Sequence, residues 1–275
     1  MVAWTLLACG PGTPGDVATT EPAADAYALA LGDCRATVEG TSGGDPYTTG
    51  ALEYDERGDI VRAEWTYYES GNFYVTTFTF DDTHHLRSEV DDPPGRDDDV
   101  TTTQTWNGDN LVEIDLDYGS DGTVDEIELR TYDDDDLWIS SHWDYDADGT
   151  PEDRVTLDWE ADGDGWHGGG DGLDPYGSYT VEAWADPIGW IYRYAYADDR
   201  GLASDWYVSP RNELGNSTHV TVDESEGDLW ESHLVRDYVL DGAGREQSEA
   251  YAYDLLQATD PVHLALDYQW SWDCP

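Results

Sequence analysis

The sequence predicts an all-β fold: an antiparallel β-meander of repeated hairpins that closes into a flattened barrel, a sandwich or a coiled sheet. First, aromatic residues followed by an acidic residue or Asn recur at steps of 26, 26, 26 and 27 residues. Second, glycine-containing turns recur between them at a similar step. Third, apolar and polar residues alternate along the intervening segments, which is the period of a strand with one buried face. The aromatic pairs begin at Tyr54, Phe80, Trp106, Tyr132 and Trp159.

The hairpin unit of about 26 residues sets the length of each strand. Half a unit fits a strand of about nine residues and a short turn, and about fourteen to sixteen such strands fit the chain. Val112–Tyr118 shows the pattern, with apolar side chains on one face and carboxylates on the other. A sheet with one apolar face must curl closed or fold over on itself. Because a round barrel of this size would be hollow, we expect a flattened closure filled with Trp and Tyr.

Along the chain we predict a signal peptide at residues 1–8, a flexible linker at 9–22 and a single β-repeat domain at 23–275. A second lobe could begin at about residue 178, where shorter hairpins follow. Two stretches break the repeat, namely the Gly-rich Trp166–Gly177 and Ser209–Asn216. Gly and Pro are the strongest local breakers of regular structure, so both stretches are predicted to be loops.

The charge of the chain restricts its partners. There are 62 acidic residues against 12 basic ones, all of them Arg, and the net charge is −50. Such a charge repels phosphate backbones and anionic lipids, so no nucleic-acid partner is expected and cations are the natural small ligands. The 13 Trp and 19 Tyr supply enough apolar surface for a core, which argues against disorder.

The N-terminus carries the sequence Leu6-Leu7-Ala8-Cys9, followed by a Gly- and Pro-rich stretch. This motif resembles the lipobox of bacterial lipoproteins. The resemblance implies that Cys9 becomes the lipid-bearing N-terminus and that the protein lies in a bacterial cell envelope. No run of about 18 apolar residues follows, so we expect membrane contact through the lipid anchor only.

The other two cysteines, Cys34 and Cys274, lie near the two ends of the patterned region. An exported compartment permits a disulfide between them, which would close a loop of 274 − 34 = 240 residues. The chain-entropy model assigns about 5 kcal/mol to a loop of that length. Two free buried thiols are the alternative.

Two turn sequences, Tyr54-Asp55-Glu56-Arg57-Gly58 and Asp241-Gly242-Ala243-Gly244, share an acidic residue and a nearby glycine. They resemble the turns of YD-repeat proteins, the Rhs-like family of secreted bacterial β-hairpin arrays. The resemblance implies structural roles for Tyr54, which would pack between strands, and for Asp55, Gly58, Asp241 and Gly244, which would shape the turns.

One acidic turn has the spacing of a calcium loop. Asp144, Asp146 and Asp148 alternate ahead of Gly149, and Glu152 follows. Carboxylates at alternate positions can converge on one hard cation, and the glycine permits the sharp turn around Ca²⁺. The twelfth position is Val155, so this is not an EF-hand; the loop is similar to those of secreted calcium-binding repeats. A solvated acidic turn without a bound ion is the alternative. Two other turns, at 117–125 and 162–165, carry similar sequences with fewer carboxylates.

These observations favour a structural, adhesive or interaction role rather than an enzyme. The seven histidines show no metal-ligand spacing, and no nucleophile elbow or phosphate loop is present. The alternative is a carbohydrate-binding module, for which Trp138, Trp184 and Trp206 are the predicted exposed aromatics. A surface glycan or a protein is therefore the expected partner, and the oligomeric state stays open. A transmembrane β-barrel is the least favoured interpretation, because acid-rich turns lie at both ends of the strands.

Overall fold

The computed structural model describes residues 34–68, 70–92, 99–163, 165–175, 177–186, 191–198, 201–209, 219–226, 230–240, 246–257 and 262–274. The predicted signal peptide, linker and lipid-anchor Cys9 lie outside these ranges, as do Asp241 and Gly244. No helix among the described residues is long and apolar enough to cross a membrane.

The described residues form eighteen strands in chain order. They are β1 (Arg35–Ser42), β2 (Asp45–Tyr54), β3 (Ile60–Tyr67), β4 (Phe73–Phe80), β5 (Leu86–Asp92), β6 (Val100–Asn107), β7 (Asn110–Tyr118), β8 (Glu126–Tyr132), β9 (Trp138–Asp144), β10 (Asp153–Asp162), β11 (Gly165–Asp174), β12 (Gly177–Ala185), β13 (Ile191–Asp198), β14 (Leu202–Val208), β15 (His219–Glu226), β16 (Trp230–Leu240), β17 (Glu246–Gln257) and β18 (Val262–Asp273).

Each strand pairs antiparallel with the next, and β18 pairs with β1 from Arg35↔Asp273 to Thr41↔Asp267. The meander therefore closes into a barrel, which confirms the predicted fold class. Ser178 lies in β12, within the same ring of strands. Cys34 and Cys274 form a disulfide next to the β1–β18 seam, so a covalent bond ties together the two ends of the barrel domain.

The prediction of a loop at Trp166–Gly177 is wrong, because most of this stretch is strand β11. Its glycines are required by packing: a Cβ added at Gly170 would lie 1.7 Å from the carbonyl oxygen of Thr156. Missing side chains on the inner face of β11 let the neighbouring strands bend sharply. As a result Trp138 on β9 meets Tyr194 on β13, with ring centroids 6.3 Å apart. Strand β11 is one of eighteen strands, which is more than the about fourteen to sixteen strands predicted.

A second sharp bend lies at β1 and β2, about half the ring away from β11. A Cβ at Gly40 would lie 2.6 Å from the Tyr268 ring, and one at Gly50 would lie 2.7 Å from Trp65. Trp65 on β3 packs in the same core cluster as Trp270 on β18. At both places, about half a ring apart, side chains from strands on either side of the glycines pack into a common core cluster.

Aromatic side chains on the inner face tie successive hairpins together. Each of three aromatics donates a hydrogen bond to a backbone carbonyl some twenty residues earlier, which repeats the packing of one hairpin on the next. The bonds run from Trp106 Nε1 to Leu86 O at 2.9 Å, from Tyr132 Oη to Leu111 O at 2.9 Å and from Trp159 Nε1 to Trp138 O at 2.7 Å.

The aromatic-acidic pair at Trp159 does not begin a turn, because Trp159 lies within β10, ahead of the turn at Gly163.

The strand register separates an inner from an outer face. In β7, for example, Ile114 and Leu116 point inward while Glu113 and Asp115 point outward. On the neighbouring β8, Leu129 lies opposite Glu113 and is 46% exposed. The outer face therefore carries both acidic and apolar side chains.

The inner face carries some polar groups, so the expectation of an apolar face throughout is wrong. Arg130 donates two hydrogen bonds to buried Glu128, at 2.8 and 2.9 Å, and Ser141 donates a third at 2.6 Å. Glu89 and Asp91 also point inward, and Thr76 donates to Asp91 at 2.6 Å. Such groups need partners or protons, because burying an unpaired charge is costly.

Candidate metal centre

The Asp144 loop, residues 144–152, connects β9 to β10 and brings the predicted metal ligands together. One carboxylate oxygen from each of Asp144, Asp146, Asp148 and Glu152 lies within 4.8 Å of the others. Within the part of the chain that the structure describes, this is the one group of three or more acidic, His or Cys ligands so arranged. Four carboxylate oxygens at this separation match the oxygen ligands that Ca²⁺ prefers.

Backbone hydrogen bonds to Asp144 fold this loop. The N–H of Gly149 donates to Asp144 Oδ2 at 2.7 Å, and the N–H of Asp148 donates to Oδ1 at 3.2 Å. Gly149 has φ 88°, a left-handed conformation that glycine adopts without strain. Glu152 accepts the N–H of Tyr145 at 2.8 Å, which fixes its carboxylate on the same side of the turn.

The pKa values of Asp144 and Asp146 in this loop shift in opposite directions. Burial raises the pKa of Asp144, but the donated N–H groups of Gly149, Asp146 and Asp148 outweigh burial and lower it. At Asp146 burial and then the charge of Asp148 raise the pKa, with further contributions from Glu152 and Asp144. At Asp146 neighbouring carboxylates thus contribute to the raised pKa, and a bound cation would offset their repulsion.

The β7–β8 turn offers a natural comparison within the chain. Asp117 accepts the N–H groups of Gly122 at 2.8 Å and Asp121 at 3.1 Å, as Asp144 does one repeat later. Asp125 accepts the N–H of Tyr118 at 2.7 Å, as Glu152 does. Gly119 stands where the Asp144 loop has Asp146. The same hydrogen bonds thus form without a third alternate carboxylate, so Asp146 is not needed to shape the turn.

The other acidic turn with fewer carboxylates, at 162–165, does not form a ligand cluster among the described residues. Asp162 ends β10 and Asp164 lies outside the described ranges.

The turn at Asp55 shows what the YD-like residues do. Asp55 Oδ1 accepts the N–H groups of Arg57 at 2.9 Å and Asp59 at 3.0 Å. Gly58 has φ 86°, and Tyr54 packs against Trp272 with ring centroids 5.6 Å apart. The same bonds recur at Asp81 and Asp133, where His84 (φ 65°) and Asp136 (φ 59°) occupy the left-handed position of Gly58.

The predicted sugar-stacking tryptophans are not arranged as a platform. Trp138 is 7% exposed and belongs to the core, so its predicted exposure is wrong. A bulge next to Trp138 turns the side chain inward, which strict alternation does not predict. Trp206 lies opposite the inward-facing Tyr194. Trp184 points outward, but His167 stacks on it at 4.9 Å and Arg193 lies 4.5 Å from its ring centre. These neighbours come from the strands on either side of β12, so the Trp184 ring is already in contact with other side chains.

Comparisons with known proteins concern the fold alone. No protein-family model matches the chain, and none of the curated proteins matches it. The chain is similar to a porin-like protein from Bacteroides uniformis, with 12% identity and a TM-score of 0.46 over 89% of this chain and 97% of that chain. It is similar to part of TcdB2-TccC3-Cdc42, with 13% identity and a TM-score of 0.36 over 83% of this chain and 14% of that chain. The values for TcdB2-TccC3 are 13%, 0.37, 82% and 15%.

Proposed function

We propose that this chain is an exported structural or interaction protein, a barrel tethered by Cys9 to a bacterial cell envelope and stabilised by Ca²⁺ in the Asp144 loop. The observation that carries the proposal is the convergence of four carboxylates in that loop. They occupy the first, third, fifth and ninth positions of the loop, which are four of the ligand positions of the EF-hand loop, whereas the twelfth position is Val155. The charge of −50 raises the local concentration of cations and so favours occupancy.

The comparison with the β7–β8 turn supports a metal role for Asp146. Four carboxylates with oxygens within 4.8 Å of one another repel, and Gly119 shows that the turn forms without the extra carboxylate. A divalent cation held by Asp144, Asp146 and Asp148 is the compensation we infer.

The test is calorimetric titration of Ca²⁺ into the purified chain, with thermal melts in calcium and in chelator. Calcium at a hundredfold excess over its dissociation constant stabilises a folded protein by about 2.7 kcal/mol. Asp146→Gly, which copies Gly119, should abolish the heat and the shift in Tm. Asp121→Asn removes one charge from the β7–β8 turn and should leave both unchanged. The calcium proposal is wrong if the wild type shows no heat and no shift, or if Asp146→Gly retains them.

The tether is tested separately. Expressed in a bacterium with the N-terminus intact, the wild type should partition with membranes, and Cys9→Ser should release it into the soluble fraction. The outward carboxylates Glu113 and Asp115 of β7 support attachment by an anchor rather than by that part of the barrel wall. Equal partitioning of both proteins would refute the anchor and would leave the calcium proposal untouched.

A further inference from the structure

The outer face of β13–β18 is concave and encloses a groove that neither the calcium loop nor the anchor uses. Its volume is about 690 Å³, within the range of sites that hold small molecules. The lining comes from all six strands, and most of its side chains point outward. The groove is thus a feature of the wall of the barrel, separate from the Asp144 loop on β9 and β10.

Acidic and imidazole side chains form a straight row along the floor of the groove. The strand register places them directly opposite one another, and neighbouring strands lie about 4.8 Å apart. The row crosses five strands at right angles to the chain direction. It runs Asp205↔Asp223↔His233↔Asp254↔His263.

Both imidazoles are held by carboxylates of the same row. His263 Nδ1 lies 2.6 Å from Asp254 Oδ1, and His233 Nδ1 contacts Asp223 Oδ1. A carboxylate accepts hydrogen bonds only, so each Nδ1 is the donor. The carboxylates of the row are therefore its hydrogen-bond acceptors.

The edges of the groove supply apolar contacts and little positive charge. Ala195, Ala203 and Leu256 line it, and Leu256 is 49% exposed. Arg193 at the margin is engaged by Asp205 through hydrogen bonds of 3.0 and 2.6 Å. A ligand that fits must combine several N–H donors and positive charge with short apolar segments.

We propose that the groove binds a small linear polyamine. Its ammonium groups donate to the row of acceptors, and the methylenes between them lie against Leu256 and the two alanines. A linear chain of charges suits acceptors repeated at the strand spacing better than one ion does. A metal ion would need three convergent ligand atoms, and among the described residues that arrangement occurs at the Asp144 loop alone.

The experiment is titration of spermine into the full chain in physiological salt. Asp223→Asn with Asp254→Asn should weaken binding at least about tenfold, because charge-assisted hydrogen bonds are lost. Asp158→Asn with Asp267→Asn removes the same charge from exposed outward positions outside the groove and should leave the affinity unchanged. An equal loss of spermine affinity in both double variants would show that spermine is attracted by the net charge alone, and this would overturn the proposal. Unchanged affinity in both double variants would also overturn it.

A second pair of variants keeps the test valid if the double variant fails to fold. Leu256→Arg places a cation in the groove and should abolish spermine binding. Val239→Arg adds the same charge at an outward position that is 54% exposed and lies outside the groove lining, and it should bind spermine as the wild type does. Binding retained by Leu256→Arg refutes the proposal. A metal site would also refute it: in that case the chain binds Zn²⁺, and the Asp223→Asn with Asp254→Asn variant loses Zn²⁺ binding but keeps spermine binding.

Discussion

Glu89 makes the stability of this barrel depend on pH. The side chain lies on the inner face of β5, is 6% exposed and stands opposite Phe78 and Thr102. Burial, and then the charge of Asp91, raises the pKa of Glu89 from 4.5 to about 7. Since one pKa unit corresponds to about 1.4 kcal/mol, the ionised form costs the folded state about 3 kcal/mol.

The sign follows from which state holds the proton more tightly. The folded state holds it more tightly, so the stabilisation is complete below about pH 4.5 and is lost as the pH rises through about 7. Glu89→Gln keeps the shape and removes the charge. The variant should match the wild type near pH 4.5 and exceed its free energy of unfolding by about 3 kcal/mol above pH 8.

Urea unfolding followed by tryptophan fluorescence at several pH values measures this difference. Glu39→Gln is the matched control, because it removes one carboxylate from an outward-facing, exposed position of β1. If Glu89→Gln and the wild type show parallel pH profiles, Glu89 does not carry a proton in the folded state and the reasoning fails. A gain shared equally by Glu39→Gln would attribute the effect to the net charge.

Two further predictions concern the bend and the seam of the barrel. Gly170→Ala should destabilise the fold by several kcal/mol, because its Cβ would meet the Thr156 carbonyl oxygen, whereas Gly169→Ala, with nothing within 4 Å, should be near neutral in a thermal melt. Similar melts for both alanine variants would contradict the packing role of β11. Replacing Cys34 and Cys274 by Ser should cost about 5 kcal/mol in urea unfolding, and unchanged stability would show that strand pairing alone holds the seam.

The fold could be predicted from the sequence because alternation and repeat length are local properties of the chain. In Val112–Tyr118, for example, alternation predicts that Ile114 and Leu116 face inward, and the structure places them opposite Gln104 and Thr102. Tyr118, at the end of the strand, departs from the pattern and is 49% exposed. The strand β11 could not be predicted in the same way. Gly168, Gly170 and Gly172 have no local strand preference, and what requires them is contact with Trp159, Thr156 and Tyr179 on other strands.

The two candidate sites also differ in whether the sequence could predict them. The ligands of the Asp144 loop lie within nine residues, so their convergence was visible in the spacing. The row from Asp205 to His263 spans five strands, and no sequence spacing marks it because it depends on the register of each hairpin. The inward position of Glu89 was hidden for a related reason: a bulge between Thr79 and Phe80 shifts the register of its hairpin.

A chain with a net charge of −50 can neutralise its carboxylates with arginines, protons or bound cations. Arg130 serves buried Glu128 directly. Burial, and then the charge of Asp91, raises the pKa of Glu89 to about 7, so a proton neutralises that site below this pH. At the four converging carboxylates of the Asp144 loop, we propose that a divalent cation has this role. Simple salt screens exposed charges over about 8 Å but does not replace ligands in direct contact with a metal, so calcium stabilisation should persist in high salt.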